Sequence, residues 1–296
     1  MKIIYINIRR NYKMNNSTTE VKNLRDSFVT KDKKLRTSIR TGYGLTYSDT
    51  GIAYLNEEII PREENKVVLG GILHILSKLF DTTTSLEIST LNELLDIATD
   101  YVPTTDAKDL VFAFNVGIAG CGSSYADEKE VLDQANCVPG IIPIRVVDSE
   151  DELGTAVNNY WFKKQLENGK YAYYLKNFEA APTIHTLWKD AVDEDGDGNP
   201  VTGNPATSSR TEGIESFVQV VINITAQDIR EYFQLFDNPD YARFNSLGLC
   251  VGRNGVDTET GTEEYIDVTQ FSVLNFSNEM LHFDKDLSII YRIYIS

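Results

Sequence analysis

The sequence of residues 217–224, FVQVVINI, is the stretch that most directly decides the fold class. It is rich in β-branched and aromatic side chains, which suit pleated, half-buried strands better than helices. Similar apolar runs, separated by turn signals such as Asn168-Gly169, occur at 110–116, 141–147, 171–175, 247–251 and 289–295. Residues 104–296 are therefore predicted to form a β-rich α+β domain, sandwich-like, with one inserted helix that opens at Thr225.

Two denser apolar segments precede this domain. Residues 67–80 are apolar at most positions, which predicts a buried helix. Thr90 and Glu93 have the spacing of a capping box and predict a second helix directly afterwards. Residues 43–60 alternate loosely and predict extended or hairpin structure. Residues 41–103 are thus predicted to be a hairpin followed by an antiparallel helical pair.

Residues 1–40 are predicted to form a basic N-terminal helical arm. They contain 11 Lys and Arg against 3 Asp and Glu, whereas the rest of the chain contains 17 against 41. Ser17 and Glu20 have capping-box spacing, and Val21, Leu24 and Phe28 follow at near-helical intervals. The predicted fold class is therefore α+β: a helical arm and a helical pair, then the β-rich domain. The sequence leaves open whether Met1 or Met14 is the start.

The charge distribution indicates which partners the chain has. An acidic body repels nucleic acid, and the basic arm lacks the interleaved aromatic residues of a nucleic-acid motif. Docking of the arm on an acidic neighbouring subunit is therefore favoured over nucleic-acid binding. The residues predicted to make this contact are Lys31, Lys33, Lys34, Arg36 and Arg40.

The cysteines and the hydropathy exclude several classes of protein. Cys121, Cys137 and Cys250 form no C-x-x-C pair, so free thiols in a reducing cytoplasm are predicted rather than a disulfide framework or a zinc site. No apolar stretch reaches the length of a membrane span, so no membrane partner is expected.

Two loops resemble ligand sites only in part. The glycine-rich loop at 117–122 follows an apolar strand but lacks the lysine of a phosphate-binding loop, so a tight structural loop is predicted and no cofactor is expected. Asp193, Asp195 and Asp197 have the alternate spacing of a calcium loop, with glycine at the sixth position. Asn204 stands at the twelfth position, where calcium loops need a bidentate glutamate. An acidic surface loop is therefore favoured, and weak calcium binding stays open.

No catalytic residue is predicted. The 44 acidic residues leave a hydrolase possible by composition, but no spacing selects a catalytic pair. The aromatic residues Tyr171, Tyr173 and Tyr174 lie in one predicted strand, and a mixture of core and interface side chains is favoured over sugar stacking. The closing strand with Tyr291 and Tyr294 is a further contact candidate, through pairing at a sheet edge.

Six segments carry a resemblance to a known group of proteins. They are FAFNVGIAGCG (112–122), IIPIRV (141–146), YAYYLKNFE (171–179), ARFNSLGL (242–249), LNFSNE (274–279) and IIYRIY (289–294). In residue pattern and in order along the chain, these segments resemble those of virion structural proteins of tailed bacteriophages. The resemblance is greatest to tail or baseplate components similar to the wedge subunits of contractile tails.

This resemblance implies a function without catalysis. Such proteins are β-rich, have no enzymatic activity, and assemble in symmetric copies with themselves and with other virion proteins after synthesis in the host bacterial cytoplasm. A neck, collar or head-decoration protein is an alternative, as is a carbohydrate-binding adhesin in which Tyr173 and Trp188 stack on sugar. An unrecognised hydrolase would instead need a deep pocket with carboxylates of shifted pKa.

Overall fold

A computed structural model describes residues 36–62, 65–82, 86–97, 101–124, 127–188, 214–236, 238–277 and 285–295. Most of the regular structure within these residues is β-strand. The strands are β1 (Arg36–Tyr47), β2 (Ala53–Arg62), β3 (Lys66–Val67), β4 (Val102–Pro103), β5 (Leu110–Gly117), β6 (Ile141–Ile142), β7 (Arg145–Val147), β8 (Tyr160–Gln165), β9 (Tyr171–Asn177), β10 (Thr183–Trp188), β11 (Ile214–Ile224), β12 (Ser246–Val256), β13 (Glu263–Asn275) and β14 (Leu287–Ile295).

The α-helices of the described residues are short. They are α1 (Leu69–Phe80), α2 (Leu91–Leu95) and α3 (Arg230–Gln234). Both α1 and α2 pack on β13, and α3 packs near β7. The capping box predicted at Thr90 and Glu93 is present at the start of α2, with both reciprocal hydrogen bonds.

The described strands form two sheets. One has the order β10-β11-β14-β1-β2, and the path of the larger sheet is β3-β13-β12-β5-β9-β7, with β4, β6 and β8 attached to β12, β5 and β9. The β1–β2 pair and the pairs of the larger sheet are antiparallel. The hydroxyl of Tyr291 in β14 lies 3.1 Å from that of Ser272 in β13, and both residues are buried. At this buried point β14 of one sheet contacts β13 of the other.

A polar bridge crosses the centre of the larger sheet. Asn115 of β5 donates through Nδ2 to Oε1 of Gln270 in β13 at 3.0 Å, and β12 runs between these two strands. Gly248 is the residue of β12 beneath the bridge, and an added Cβ would lie 2.6 Å from Oδ1 of Asn115 and collide with the Gln270 amide. Glycine is therefore required at this position so that the two buried amides can pair.

The chain divides into two compact units. Of the described residues, those between 37 and 185 and between 218 and 292 belong to the larger unit, and the smaller contains residues 36, 186–188, 214–217 and 293–295. Within the smaller unit, the rings of Phe217 and Tyr294 lie 5.2 Å apart, and the hydroxyls of Thr186 and Ser216 lie 3.0 Å apart.

The predicted fold class, a helical arm and helical pair followed by a β-rich domain, is wrong. In the described part of the chain, strands in large antiparallel sheets make up most of the regular structure, and β1 already begins at Arg36, inside the predicted arm of residues 1–40. The predicted helical pair is also wrong, because α2 has only five residues and both helices pack on β13. Residues 1–35 lie outside the described residues.

Several individual strand predictions are confirmed. The runs at 110–116, 171–175, 217–224, 247–251 and 289–295 lie in β5, β9, β11, β12 and β14. The hairpin predicted at 43–60 is the β1–β2 pair. The run at 141–147 is divided between β6 and β7, and the helix expected after Thr225 is the single short helix α3.

Candidate functional site

The most unusual surface of the described chain lies on α1. The chain pairs Lys66 and Val67 with β13 and then turns into the helix at Leu69, with the Val68 amide donating to the carbonyl of Phe271 at 3.1 Å. At its other end Asp81 adopts a left-handed conformation, φ 46°, and its amide donates to the carbonyl of Ser77. Both ends of α1 are thus fixed.

Glycines form the inner face of α1. Gly70 and Gly71 are buried against β13. An added Cβ at Gly70 would lie 2.6 Å from the carbonyl oxygen of Gln270, and one at Gly71 would collide with that of Phe271. The helix backbone therefore lies directly on the strand backbone, and larger side chains cannot occupy that face.

Large apolar side chains form the outer face. Ile72, Leu76, Leu79 and Phe80 are 43%, 41%, 68% and 66% exposed. Their spacing of four, three and one residues places them in one stripe along the helix. We call these four residues the α1 stripe. The prediction of a buried helix at 67–80 is therefore wrong for this face, and its first residue belongs to β3.

The α1 stripe carries almost no charge. Residues 69–80 contain one charged side chain, Lys78, which forms an ion pair with Asp109 at 2.6 Å. His74 is half-buried, and burial lowers its pKa, although the nearby Asp109 carboxylate opposes this. The imidazole is therefore neutral at pH 7, because its ordinary pKa already lies near 6.5.

The predicted basic contact residues do not form one described surface. Lys31, Lys33 and Lys34 lie outside the described residues. Arg36 is the first residue of β1, and Arg40 lies within that strand, where its guanidinium lies 3.8 Å from the carboxylate of Glu58. Arg40 thus belongs to a sheet and not to an arm.

The aromatic strand is largely internal. β9 has β5, β7 and β8 as neighbours, Tyr173 is buried, and Tyr171 and Tyr174 are half-buried. The Tyr173 hydroxyl donates to the carboxylate of Glu150 at 3.0 Å, and burial followed by this contact raises the pKa of Tyr173. Tyr173 therefore does not present its ring for stacking on sugar or on a neighbouring subunit.

The closing strand is not a sheet edge. β14 lies between β11 and β1, so both of its hydrogen-bonding sides already have partners. Tyr291 and Tyr294 are buried. The prediction that this strand pairs with another subunit at an edge is wrong, and the end strands of that sheet are β10 and β2.

A buried ionic cluster lies where β7, β8 and β9 approach α3. Asp228 is fully buried and accepts hydrogen bonds from the Tyr160 hydroxyl at 2.8 Å, the Lys176 ammonium at 2.6 Å and the Thr225 amide at 2.8 Å. Arg145 lies 4.0 Å from the same carboxylate. Burial, and then the Asp228 charge, raise the pKa of Tyr160. Every polar atom of the Asp228 carboxylate thus has a protein partner.

Glu264 is a second buried carboxylate. Its oxygens accept hydrogen bonds from the amides of Phe162 at 3.2 Å and Tyr265 at 2.8 Å. Phe162 has φ 60°, a left-handed conformation that is costly for an aromatic residue, so the carboxylate stabilises a strained point in β8. Burial raises the pKa of Glu264 to about 7. This carboxylate therefore has a structural role at the β8–β13 contact.

The glycine-rich loop is held by protein groups. Asn245 accepts a hydrogen bond from the Gly120 amide at 2.5 Å and donates to the carbonyl of Ile118 at 3.2 Å. The Cys121 thiol donates to the carbonyl of Phe276 at 3.3 Å. Cys137 and Cys250 are further free thiols, and burial raises the pKa of Cys137 to about 12. The loop amide at Gly120 already has an acceptor, as a structural loop requires.

The remaining predicted sites concern metal ions and membranes. Asp193, Asp195 and Asp197, the weak calcium candidates, lie outside the described residues. Among the residues that are described, no group of three or more His, Cys, Asp or Glu side chains is arranged to hold a metal ion. In the same part of the chain, no helix has both the length and the hydropathy of a membrane span.

Sequence reasoning missed the α1 stripe and the ionic cluster. The Gly70-Gly71 dipeptide inside an apolar run was the available signal for the stripe, because glycines on one face force the large side chains onto the others. For the cluster, Thr225 and Asp228 have the spacing of a capping box, and the amide of each donates to the side chain of the other. That pattern does not indicate that the Asp228 carboxylate is buried beside two cations. Comparison with protein-family models, with curated proteins and with solved structures finds no match for this chain.

Proposed function

We propose that this chain is a non-enzymatic structural subunit of a tailed-phage virion. Within the virion, we place the chain in the tail or baseplate. The observation that carries the proposal is the α1 stripe, a row of large apolar side chains on an anchored helix that the described residues leave exposed. Exposed apolar patches with a polar surround commonly mark protein–protein contacts.

The energetics of the stripe favour a bound state. With roughly 200 Å² for a fully exposed large apolar side chain, the four residues expose about 400–450 Å². Covering that area is worth about 10 kcal/mol before the costs of association are subtracted. This gross gain is large enough for the stripe to contribute to a stable contact.

The charge asymmetry supports a second contact. Residues 1–40 carry an excess of positive charge over an acidic remainder. Opposite charges on neighbouring subunits steer association and fix its orientation. The basic N-terminal segment therefore remains our proposal for a contact with an acidic neighbour, now with its boundary at residue 35, because β1 begins at Arg36.

Particle incorporation tests the proposed function. Particles that form without this chain are supplied with the full-length wild type, with Leu79→Lys or with the control Ile184→Lys, which alters a side chain that is 77% exposed on β10. We expect Leu79→Lys to reduce incorporation at least tenfold and the control to leave it unchanged. Wild-type chain that is absent from purified particles would refute the proposal.

Deletion of residues 1–35 tests the basic segment in the same assay. We expect reduced incorporation that depends on salt, since contacts between exposed charges are screened. Unchanged incorporation would refute the N-terminal contact and would leave the α1 stripe unaffected. Imaging of the incorporated chain distinguishes the tail and baseplate from the neck, collar or head.

The adhesin alternative has no support from the described residues. It required Tyr173 to stack on sugar, and that ring is buried with its hydroxyl bound to Glu150. Trp188, its other aromatic residue, ends β10 at the limit of the described residues.

A further inference from the structure

We infer that the α1 stripe binds the same stripe of a second copy of this chain, so that two α1 helices pack against each other about a twofold axis. This inference rests on the proposed function, because it names the partner of the same surface. In such a contact each residue of one copy meets its counterpart or a close neighbour in the other, so the surface must be complementary to itself.

The orientation of the stripe is a fixed property of the fold. Because Gly70 and Gly71 place the helix backbone directly on β13, a rotation of α1 that buried Leu79 would force larger side chains against the carbonyls of Gln270 and Phe271. The chain cannot cover the stripe by turning the helix. Among the described residues the stripe therefore stays exposed, where the α1 stripe of a second copy can reach it.

The lack of charge on α1 favours an uncharged partner surface. The one charged side chain of α1, Lys78, is paired with Asp109 of its own chain, and residues 69–80 contain no acidic residue. A strongly basic partner would therefore find no acceptor on the helix, and an acidic one would have to compete with Asp109. An identical, uncharged stripe meets neither difficulty.

The spacing and the area also fit a helix pair. Ile72, Leu76 and Leu79 are separated by four and then three residues, the alternation with which one helix packs its side chains between those of another. Two copies of the stripe bring together roughly 900 Å², and the half-buried residues beside it extend the contact toward the ~1,200 Å² of small specific interfaces.

Sedimentation of the purified full-length chain tests the inference. We expect the wild type to associate at micromolar concentration into a species of at least twice the 33.4 kDa monomer. Leu79→Lys should weaken this association at least 100-fold, because it places two ammonium groups in one apolar contact. Lysine and leucine have similar helix propensities, so α1 should still form, and far-ultraviolet circular dichroism checks this. Ile184→Lys is the matched control and should associate like the wild type.

A charge-reversal pair distinguishes a second copy from every other partner. Leu79→Glu should also be monomeric alone, whereas a mixture of Leu79→Lys and Leu79→Glu chains should regain association, since opposite charges then meet across the axis. A monomeric wild type, an unaffected Leu79→Lys chain or a mixture that stays monomeric would each overturn the inference. If residues 17–35 of a neighbour covered the stripe instead, the chain lacking residues 1–35 would be monomeric, which also overturns it. Normal particle incorporation of a non-associating wild type would leave the proposed function standing.

Discussion

Replacement of Asp228 by asparagine tests the buried ionic cluster most sharply. The change keeps the size of the side chain and one oxygen, but it removes the negative charge that faces Lys176 at 2.6 Å and Arg145 at 4.0 Å. Both cations are only 8% exposed, so water does not readily replace the lost charge. The loss affects Lys176 most, because Arg145 keeps the Glu231 carboxylate at 3.3 Å. Breaking a buried ion pair on one side costs about 3–5 kcal/mol.

The cost is a large part of the stability of an ordinary domain, which is about 5–15 kcal/mol. Urea unfolding followed by tryptophan fluorescence measures it, because Trp161 lies in β8 beside the cluster and donates to Asn177. Tyr160→Phe is the graded control: it removes only the hydroxyl that donates to Asp228, and we expect a loss of about 1.5–3 kcal/mol.

A double variant isolates the charge. When Lys176→Met accompanies Asp228→Asn, the cation that lost its partner is also gone, so the combined loss should be smaller than the sum of the single losses by at least about 1 kcal/mol. A loss below about 1 kcal/mol for Asp228→Asn, or strict additivity with Lys176→Met, would refute the view that these buried charges stabilise each other.

Two further predictions concern the larger sheet. Burial raises the pKa of Glu264 from its ordinary 4.5 to about 7, so between these pH values the folded chain binds more protons than the unfolded chain. The free energy of unfolding should therefore fall by about 3 kcal/mol as the pH rises from about 4.5 to about 7. Glu264→Gln should remove that component from the pH dependence of the urea midpoint, and an unchanged pH profile would contradict the assignment. Gly71→Ala should destabilise the chain by about 1–3 kcal/mol because the new Cβ collides with the Phe271 carbonyl. Gly122→Ala, whose new Cβ has its nearest neighbour at 3.6 Å, is the control, and equal thermal midpoints for the two variants would show that α1 does not lie directly on β13.

The fold was predictable where strands are apolar on both faces. β11 and β14 are interior strands of one sheet, and their runs of β-branched and aromatic residues are visible without the structure. β13 was not predicted because apolar and polar residues do not alternate regularly in its sequence, EEYIDVTQFSVLN. Asp267, with φ 52°, interrupts the period of two. Gln270 and Ser272 are polar residues that are buried and hydrogen-bonded.

The candidate site was predictable only in part. The existence of a helix near residues 69–80 follows from its apolar density, but which side is covered depends on β13, a partner about 200 residues later in the sequence. Two of the aromatic candidates, Tyr173 and Tyr291, are buried for a related reason, since they are covered by strands and side chains that are distant in sequence. Local patterns indicate which side chains are apolar, and tertiary contacts decide which of them remain exposed.

An electron cryomicroscopy reconstruction of a particle that contains the chain tests the central claim most directly. The account predicts that protein density covers Leu79 and Phe80 in the assembled particle, with the α1 helix of a second copy as the covering element. Copies whose α1 helices all face solvent would contradict it.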